Sequence, residues 1–217
     1  MKKLLLTLVF SFLYITSASA GVSVGVSGNA GLFAASGNES TGSTVKGNGS
    51  EHGSAGWGSI FVEGTFQDKI MIGVDYVPYA LESDTTETAK SDKGVGATTA
   101  TTVNNKVQVD FENLTTLYAG FMIGENFFVK AGLTAVDVKT NENLGTGASY
   151  TNQSLDGSMI GLGYHNNMDN GMFFRFEGNY MSFDGTTMSA SGTAADNKIT
   201  LDNLDGVTGK ISLGKTF

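Results

Sequence analysis

No cysteine occurs anywhere in this chain of 217 residues, proline occurs once, and only 16% of positions are charged. Without thiols there is no disulfide framework, so the fold is held by non-covalent forces alone, even in an oxidising compartment. With Pro78 as the single imino acid, almost every residue keeps the N–H that a strand ladder needs. After Ile15 no apolar run approaches the roughly twenty residues of a membrane-spanning helix. Nor do apolar residues recur at three and four over several turns, which argues against helices altogether. Basic residues are the minority, 13 against 21 acidic, and an acidic protein repels polyphosphate, so nucleic acid is excluded as a partner. A complete phosphate-binding glycine motif and a metal-ligand cluster are also missing. What the chain does have is 30 glycines, long Ser/Thr/Asn-rich stretches, and apolar residues that alternate with polar ones.

The N-terminus carries an address. Lys2 and Lys3 precede an apolar run from Leu4 to Ile15, followed by Ala18-Ser19-Ala20, the small-x-small pattern of a secretory cleavage site. The run is too short to anchor the chain in a bilayer. Residues 1–20 are therefore expected to be a signal peptide, with residues 21–217 forming one mature domain that is more acidic still.

Period two runs through that domain, and alternation of this kind is the signature of strands with two different solvents. Eight candidate strands follow. Val22, Val24 and Val26 open the first, which continues toward Phe33. Ile60, Val62 and Phe66 mark the second, and Ile70, Ile72, Val74 and Tyr76 the third. The fourth sets Val107, Val109, Phe111, Leu117, Ala119, Phe121 and Ile123 on one parity, with Asp110, Glu112, Thr116 and Tyr118 on the other. Phe127, Val129, Ala131 and Leu133 define the fifth; Ile160, Leu162 and Tyr164 the sixth; Met172, Phe174, Phe176 and Tyr180 the seventh. The eighth alternates Val207, Gly209, Ile211, Leu213 and Phe217 with Thr208, Lys210, Ser212, Gly214 and Thr216.

Connections alternate long and short. Gly37–Gly56, Leu81–Lys106, Asn141–Gln153 and Gly185–Asn197 are long, whereas Gln67–Lys69, Glu125–Asn126 and Asn166–Asn170 are short. A transmembrane meander with short turns on one side and long loops on the other has this asymmetry. In hydrocarbon an unpaired backbone amide costs several kcal/mol, so such strands must close on themselves. The expected fold is all-β: an eight-stranded antiparallel up-and-down transmembrane β-barrel, with a lumen that side chains fill.

Inward parity then singles out charges. Glu63, Asp75 and Glu177 face Lys130, Arg175 and Lys210 in the lower and middle lumen, three acids against three bases. An unpartnered charge there costs several kcal/mol, so these six residues are expected to form a salt-bridge network that plugs the barrel. Outward aromatics fall near the strand ends, as an interfacial girdle requires: Phe66, Phe127, Tyr164 and Phe217 at the short turns, Tyr76, Phe111 and Tyr180 toward the long loops. Lys215 is outward and close enough to the end to snorkel.

In these residues the chain resembles the small eight-stranded outer-membrane barrels of Gram-negative bacteria, the group with opacity-type adhesins and the OmpA and OmpX membrane domains. The segment Ile211-Ser212-Leu213-Gly214-Lys215-Thr216-Phe217 is similar to the C-terminal signal, ending in Phe217, that outer-membrane insertion machinery reads. The resemblance implies the outer membrane as location, reached through the periplasm, with its lipids and lipopolysaccharide and the insertion machinery as partners. The chain is expected to be a monomer without cofactors. A periplasmic cell-wall-binding domain, present in some members, is not expected beyond Phe217.

Catalysis is not expected. His52, with Ser50 and Ser54 nearby, lies in the Gly/Ser-rich first loop, while His165 begins a turn on the opposite side of the membrane, so the two do not share a site. Asp202-Asn203-Leu204-Asp205-Gly206 has the wrong spacing for a calcium loop and lacks a closing Glu; a turn or bulge at the barrel mouth explains it. Asp110, Asp202 and Asp205 are candidates for an acidic rim facing lipopolysaccharide. Recognition, where present, resides in the long loops, expected to be solvated and mobile. Two functions are consistent with these features: a closed barrel with a structural and surface-interaction role, including adhesion by strand addition if the fourth and eighth strands protrude, or a narrow porin-like channel for small solutes.

Overall fold

The computed structural model describes residues 20–93, 98–191 and 197–217. The expected signal peptide lies, all but its last residue, outside them. Eleven strands form in chain order: β1 (Ala20–Thr41), β2 (Thr44–Phe66), β3 (Ile70–Tyr76), β4 (Leu81–Glu82), β5 (Thr86–Asp92), β6 (Thr101–Ile123), β7 (Phe127–Leu144), β8 (Ser149–Tyr150), β9 (Gln153–Asn167), β10 (Met172–Ser191) and β11 (Asn197–Thr216). Eight of them close a ring in the order β11-β1-β2-β3-β6-β7-β9-β10, with β10 returning to β11. Every ring pairing is antiparallel. The three short strands β4, β5 and β8 ride on β6 and β10.

Closure is completed at the C-terminus, where the Phe217 N–H donates to the Val22 carbonyl at 2.9 Å. The short turns need little chain because their residues take left-handed backbone angles: Gln67 and Asp68 lie at φ 51° and 53°, and Gly171 at φ 78°. Two successive positive φ values give the turn twist that matches a right-handed hairpin.

The ring separates two solvents. Val26, Leu32, Ile60, Phe127, Leu133, Ile160, Leu162, Val207 and Ile211 point outward and are exposed, while Ser23, Ser27, Glu63, Lys130, Arg175 and Ser212 on the opposite parity are buried in the lumen. This inversion, apolar outside and polar inside, is the arrangement of a barrel in lipid. Near the short turns the outward aromatics touch: Phe127 and Tyr164 meet edge to face with centroids 5.5 Å apart, and Tyr164 lies 6.3 Å from Phe174. At the last turn the Lys215 ammonium lies 5.2 Å from the Phe217 ring.

The structure corrects the reading in two places. The stretch Gly37–Gly56 is not a loop: β1 and β2 run on through it as a hairpin with Gly42 at its tip. Likewise β7 extends to Leu144, β10 to Ser191, and Leu81–Lys106 carries β4, β5 and the start of β6. From Thr44 to Ser54 both faces meet water, so the side chains there have no reason to alternate, and the period-two signal reports burial rather than strand.

The second correction concerns β6. Its ladder with β7 slips between Glu112 and Thr115, where Asn113 takes φ 55°. A bulge of one residue reverses the faces of everything beyond it. Phe111 therefore pairs across from Val138 and packs with Val109 on the lumenal apolar cluster, not in the outer girdle, while Glu112 turns outward to an ion pair with Lys139 at 2.6 Å.

Lumenal glycines make room for rings. A Cβ at Gly163 would overlap the Phe128 ring, one at Gly25 the Phe61 ring, and one at Gly214 the Phe173 ring. Gly163→Val is expected to cost about 1–3 kcal/mol through overpacking and to reduce the heat-modifiable, fast-migrating folded form in detergent gels. Gly209→Val, where an added Cβ meets open space, is expected to leave that form unchanged.

Candidate functional site

A salt-bridge network crosses the middle of the lumen. Strand alternation points Glu63 (β2), Asp75 (β3), Lys130 (β7), Arg175 and Glu177 (β10) and Lys210 (β11) inward, and the structure brings all six together. Arg175 is the hub. Its Nη1 donates to Glu63 Oε2 at 3.0 Å and its Nη2 to Glu63 Oε1 at 2.9 Å, a fork-to-fork pair. Tyr118 donates its hydroxyl to the same Glu63 Oε2 at 2.9 Å. Three rings surround the guanidinium, with Phe128 and Phe173 centroids at 5.1 Å and Phe61 at 5.8 Å. Only 2% of the Arg175 side chain and 1% of Glu63 remain exposed.

The other four charges stack beside this hub. Lys130 is ion-paired with Glu177 and its Nζ sits 4.9 Å from the Tyr118 ring centroid. Glu177 also reaches back to Arg175 Nη1 at 4.0 Å. Lys210 pairs with Asp75, which accepts a further hydrogen bond from Ser59 Oγ at 3.2 Å. Each base has an acid within ion-pair distance.

Three participants carried no charge signal. Tyr118 completes the Glu63 site, and Ser59 supports Asp75. His165, read from the sequence as the start of the turn at Asn166-Asn167, is buried beneath Arg175, stacked on Phe173 with centroids 4.7 Å apart. Its Nδ1 accepts from Arg175 Nε at 3.2 Å, which leaves the proton on Nε2 to donate to Asn167 Oδ1 at 2.9 Å. Inward parity is the signal that finds His165 and Tyr118, once the register is known.

Apolar packing covers the network on both sides. Toward the short turns lie Met71, Met122 and Phe128. Toward the hairpins lie Val136, Val138, Leu155, Met159, Met181 and Phe183. Between the charges and this upper layer is a cavity of about 30 Å³, lined among others by Asn29, Thr116, Asn179, Thr208 and Lys210. It has room for water.

The remaining candidates do not assemble. His52 lies on an exposed stretch of β2. Asp110 on β6 accepts from Asn141 Nδ2 at 2.6 Å, whereas Asp205 on β11 accepts from the Tyr180 hydroxyl at 2.9 Å. Since β6 and β11 are separated by β1, β2 and β3 on one side of the ring, the expected acidic rim of Asp110, Asp202 and Asp205 is not one site. The β1–β11 ladder slips opposite Asp202, so the calcium-like stretch is a strand with a bulge. Among the described residues no group of three His, Cys, Asp or Glu is placed to hold a metal.

No family model matches the chain. No curated protein matches it either. Among solved structures it is similar to the outer membrane protein OprG from Pseudomonas aeruginosa, at 17% identity and a TM-score of 0.57, covering 92% of this chain and 97% of that one. Weaker likenesses are to the outer membrane protein AlkL, at 10% identity, TM-score 0.49 and coverage of 92% and 91%, and to Ail, the attachment invasion locus protein of Yersinia pestis, at 12% identity, TM-score 0.35 and coverage of 89% and 99%. The likeness to OprG carries the fold: this is the architecture of the small outer-membrane β-barrels.

Arg175→Met removes the partner of a buried Glu63. Breaking such a pair is expected to cost about 3–5 kcal/mol, read as a lower urea midpoint for the barrel in detergent micelles. Adding Glu63→Gln to Arg175→Met is expected to recover part of that loss, because the stranded carboxylate is gone.

Proposed function

We propose that this chain, with the fold of the small outer-membrane barrels, is an integral outer-membrane protein with a structural and surface-interaction role and a lumen closed to solutes. The location is supported by the outward apolar belt, which hydrocarbon alone covers without cost. The observation that carries closure is the three-layered lumen: apolar packing, a fully paired set of six charges, and apolar packing again. A conducting pore of this size needs charges that hydrate and release an ion; here every ammonium and the guanidinium are held by a carboxylate.

Surface interaction is supported by what rises above the ring. The β1–β2 hairpin and the β6–β7 and β10–β11 ladders continue well past the level where β3 ends, and they present Ser, Thr, Asn and scattered charges to water. Such a surface suits envelope contact and adhesion rather than chemistry at a rigid site. The fourth and eighth strands of the sequence reading, β6 and β11, do protrude, but each is paired on both sides for most of its length. They are therefore not the edges to which a foreign strand would add.

Purified protein in a planar bilayer is expected to show no stable conductance steps above background. Regular steps in the unmodified barrel would overturn the closed reading and favour the alternative, a narrow channel for small solutes. Glu177→Ala, which frees Lys130, serves as the positive control for a loosened plug.

A further inference from the structure

The barrel wall is interrupted above the membrane on one side. Pairing of β2 with β3 ends at Ile60 and Tyr76, and from there β2 is paired only with β1, from Ser59 back to Thr44. The chain after β3 follows β6 instead: β4 pairs at Leu81 with Phe111, and β5 from Thr86 with Val107 to Asp92 with Thr101. Among the described residues no backbone ladder joins β2 to β4 or β5. Two strand edges thus flank one gap, each with a row of unused N–H and C=O groups, crossed near its base by a hydrogen bond from the Gly58 N–H to the Tyr79 hydroxyl.

A comparable parting between β7 and β10 is filled. There Tyr150 on β8 donates its N–H to Glu142 Oε1 at 2.6 Å, Thr140 donates its hydroxyl to the Tyr150 carbonyl at 3.4 Å, and β8 pairs with β10. The β2 edge has no such cover. From Thr44 to Ser54 all its side chains are exposed, Gly47, Gly49 and Gly53 leave the backbone bare, Val45 is 58% exposed, and Lys46 and Glu51 are its only charged side chains. Natural edges are usually blunted by charge, proline or a covering segment.

We infer that the gap between β2 and β5 is the contact surface for a second copy of this chain, in a two-fold dimer with its axis along the membrane normal. Strand polarity selects this partner. β2 runs from the hairpin tips toward the membrane and β5 runs away from it, so a β2–β5 pairing between two upright copies is antiparallel, whereas β2–β2 and β5–β5 pairings are parallel. A two-fold axis that brings the gaps face to face sets β2 of each copy against β5 of the other, and both ladders form at once. Both edges carry charges of both signs, and the register with Gly49 opposite Ala89 sets Lys46 of β2 against Asp92 of β5, while Glu51 faces a Glu87 already ion-paired with Lys106 at 2.5 Å. Opposite charges across a strand pair favour it and like charges oppose it. The expectation of a monomer came with the resemblance to the small barrels, and above Ile60 the wall of this chain parts.

The absence of native cysteine makes the test direct. Differently tagged full-length chains, one Gly49→Cys and one Ala89→Cys, are co-expressed and treated in outer-membrane fractions with a short bis-maleimide. Mixed 49–89 dimers are expected in several-fold excess over either like pair, and Lys46→Glu, which sets an acid against Asp92, is expected to lower their yield about threefold. Monomers alone, like pairs as abundant as mixed ones, or links to a different protein overturn the proposal. So does a link within one chain of the double variant Gly49→Cys/Ala89→Cys, which would mean that the gap closes on itself. Should a variant lose the heat-modifiable form, Ser50→Cys or Thr88→Cys replaces it. The proposal rests on the membrane reading, and failure of that reading shows separately, as protein that is not recovered folded in the outer-membrane fraction.

Discussion

The constraint on which the structure depends is that a backbone N–H or C=O at membrane depth has no water to turn to. Closure of β11 on β1 and β10 meets it, with the C-terminal Phe217 supplying the last pair to Val22. Eight strands are enough to close, and a ring of eight leaves an interior only wide enough for side chains. The lumen is therefore a core with a polar centre, and the packing rules of cores apply inside it. Rings of Phe61, Phe128 and Phe173 fit because glycine stands where each would otherwise strike a Cβ.

Narrowness also dictates the chemistry of the centre. A lumenal charge is desolvated on all sides, so it persists only with a partner in good geometry. Arg175 meets this through a forked pair with Glu63, three aromatic faces and an acceptor nitrogen on His165. On the proposed reading, the same saturation that stabilises the network also closes the lumen to ions, and a loss of pairing is the route by which a barrel of this size would open.

Above the membrane the constraint lifts, and the wall changes character. Water satisfies backbone groups, so strands need not keep both neighbours, and β2 parts from β3 beyond Ile60 while its ladder with β1 runs on to Thr44. The bulge at Asn113 lies close to this level and turns Phe111 inward, thickening the upper apolar layer of the lumen. Exposed edges are tolerable there in a way that they are not below.

The amino-acid sequence by itself determined the class of fold, the strands within the membrane and the six charges that face the lumen. It does so because hydrocarbon and lumen are opposite solvents, and alternation such as Ile60, Val62 against Phe61, Glu63 records them residue by residue. It is silent where both faces of a strand see water, which is why the β1–β2 hairpin reads as a loop, and it does not show the bulge at Asn113 that reverses the parity of β6. Which acid holds which base, the entry of Tyr118 and His165 into the network, the separation of Asp110 from Asp205, and the open edge of β2 were decided only by the tertiary structure. Register and bulges settle them, and these depend on hydrogen bonds between strands far apart in the chain.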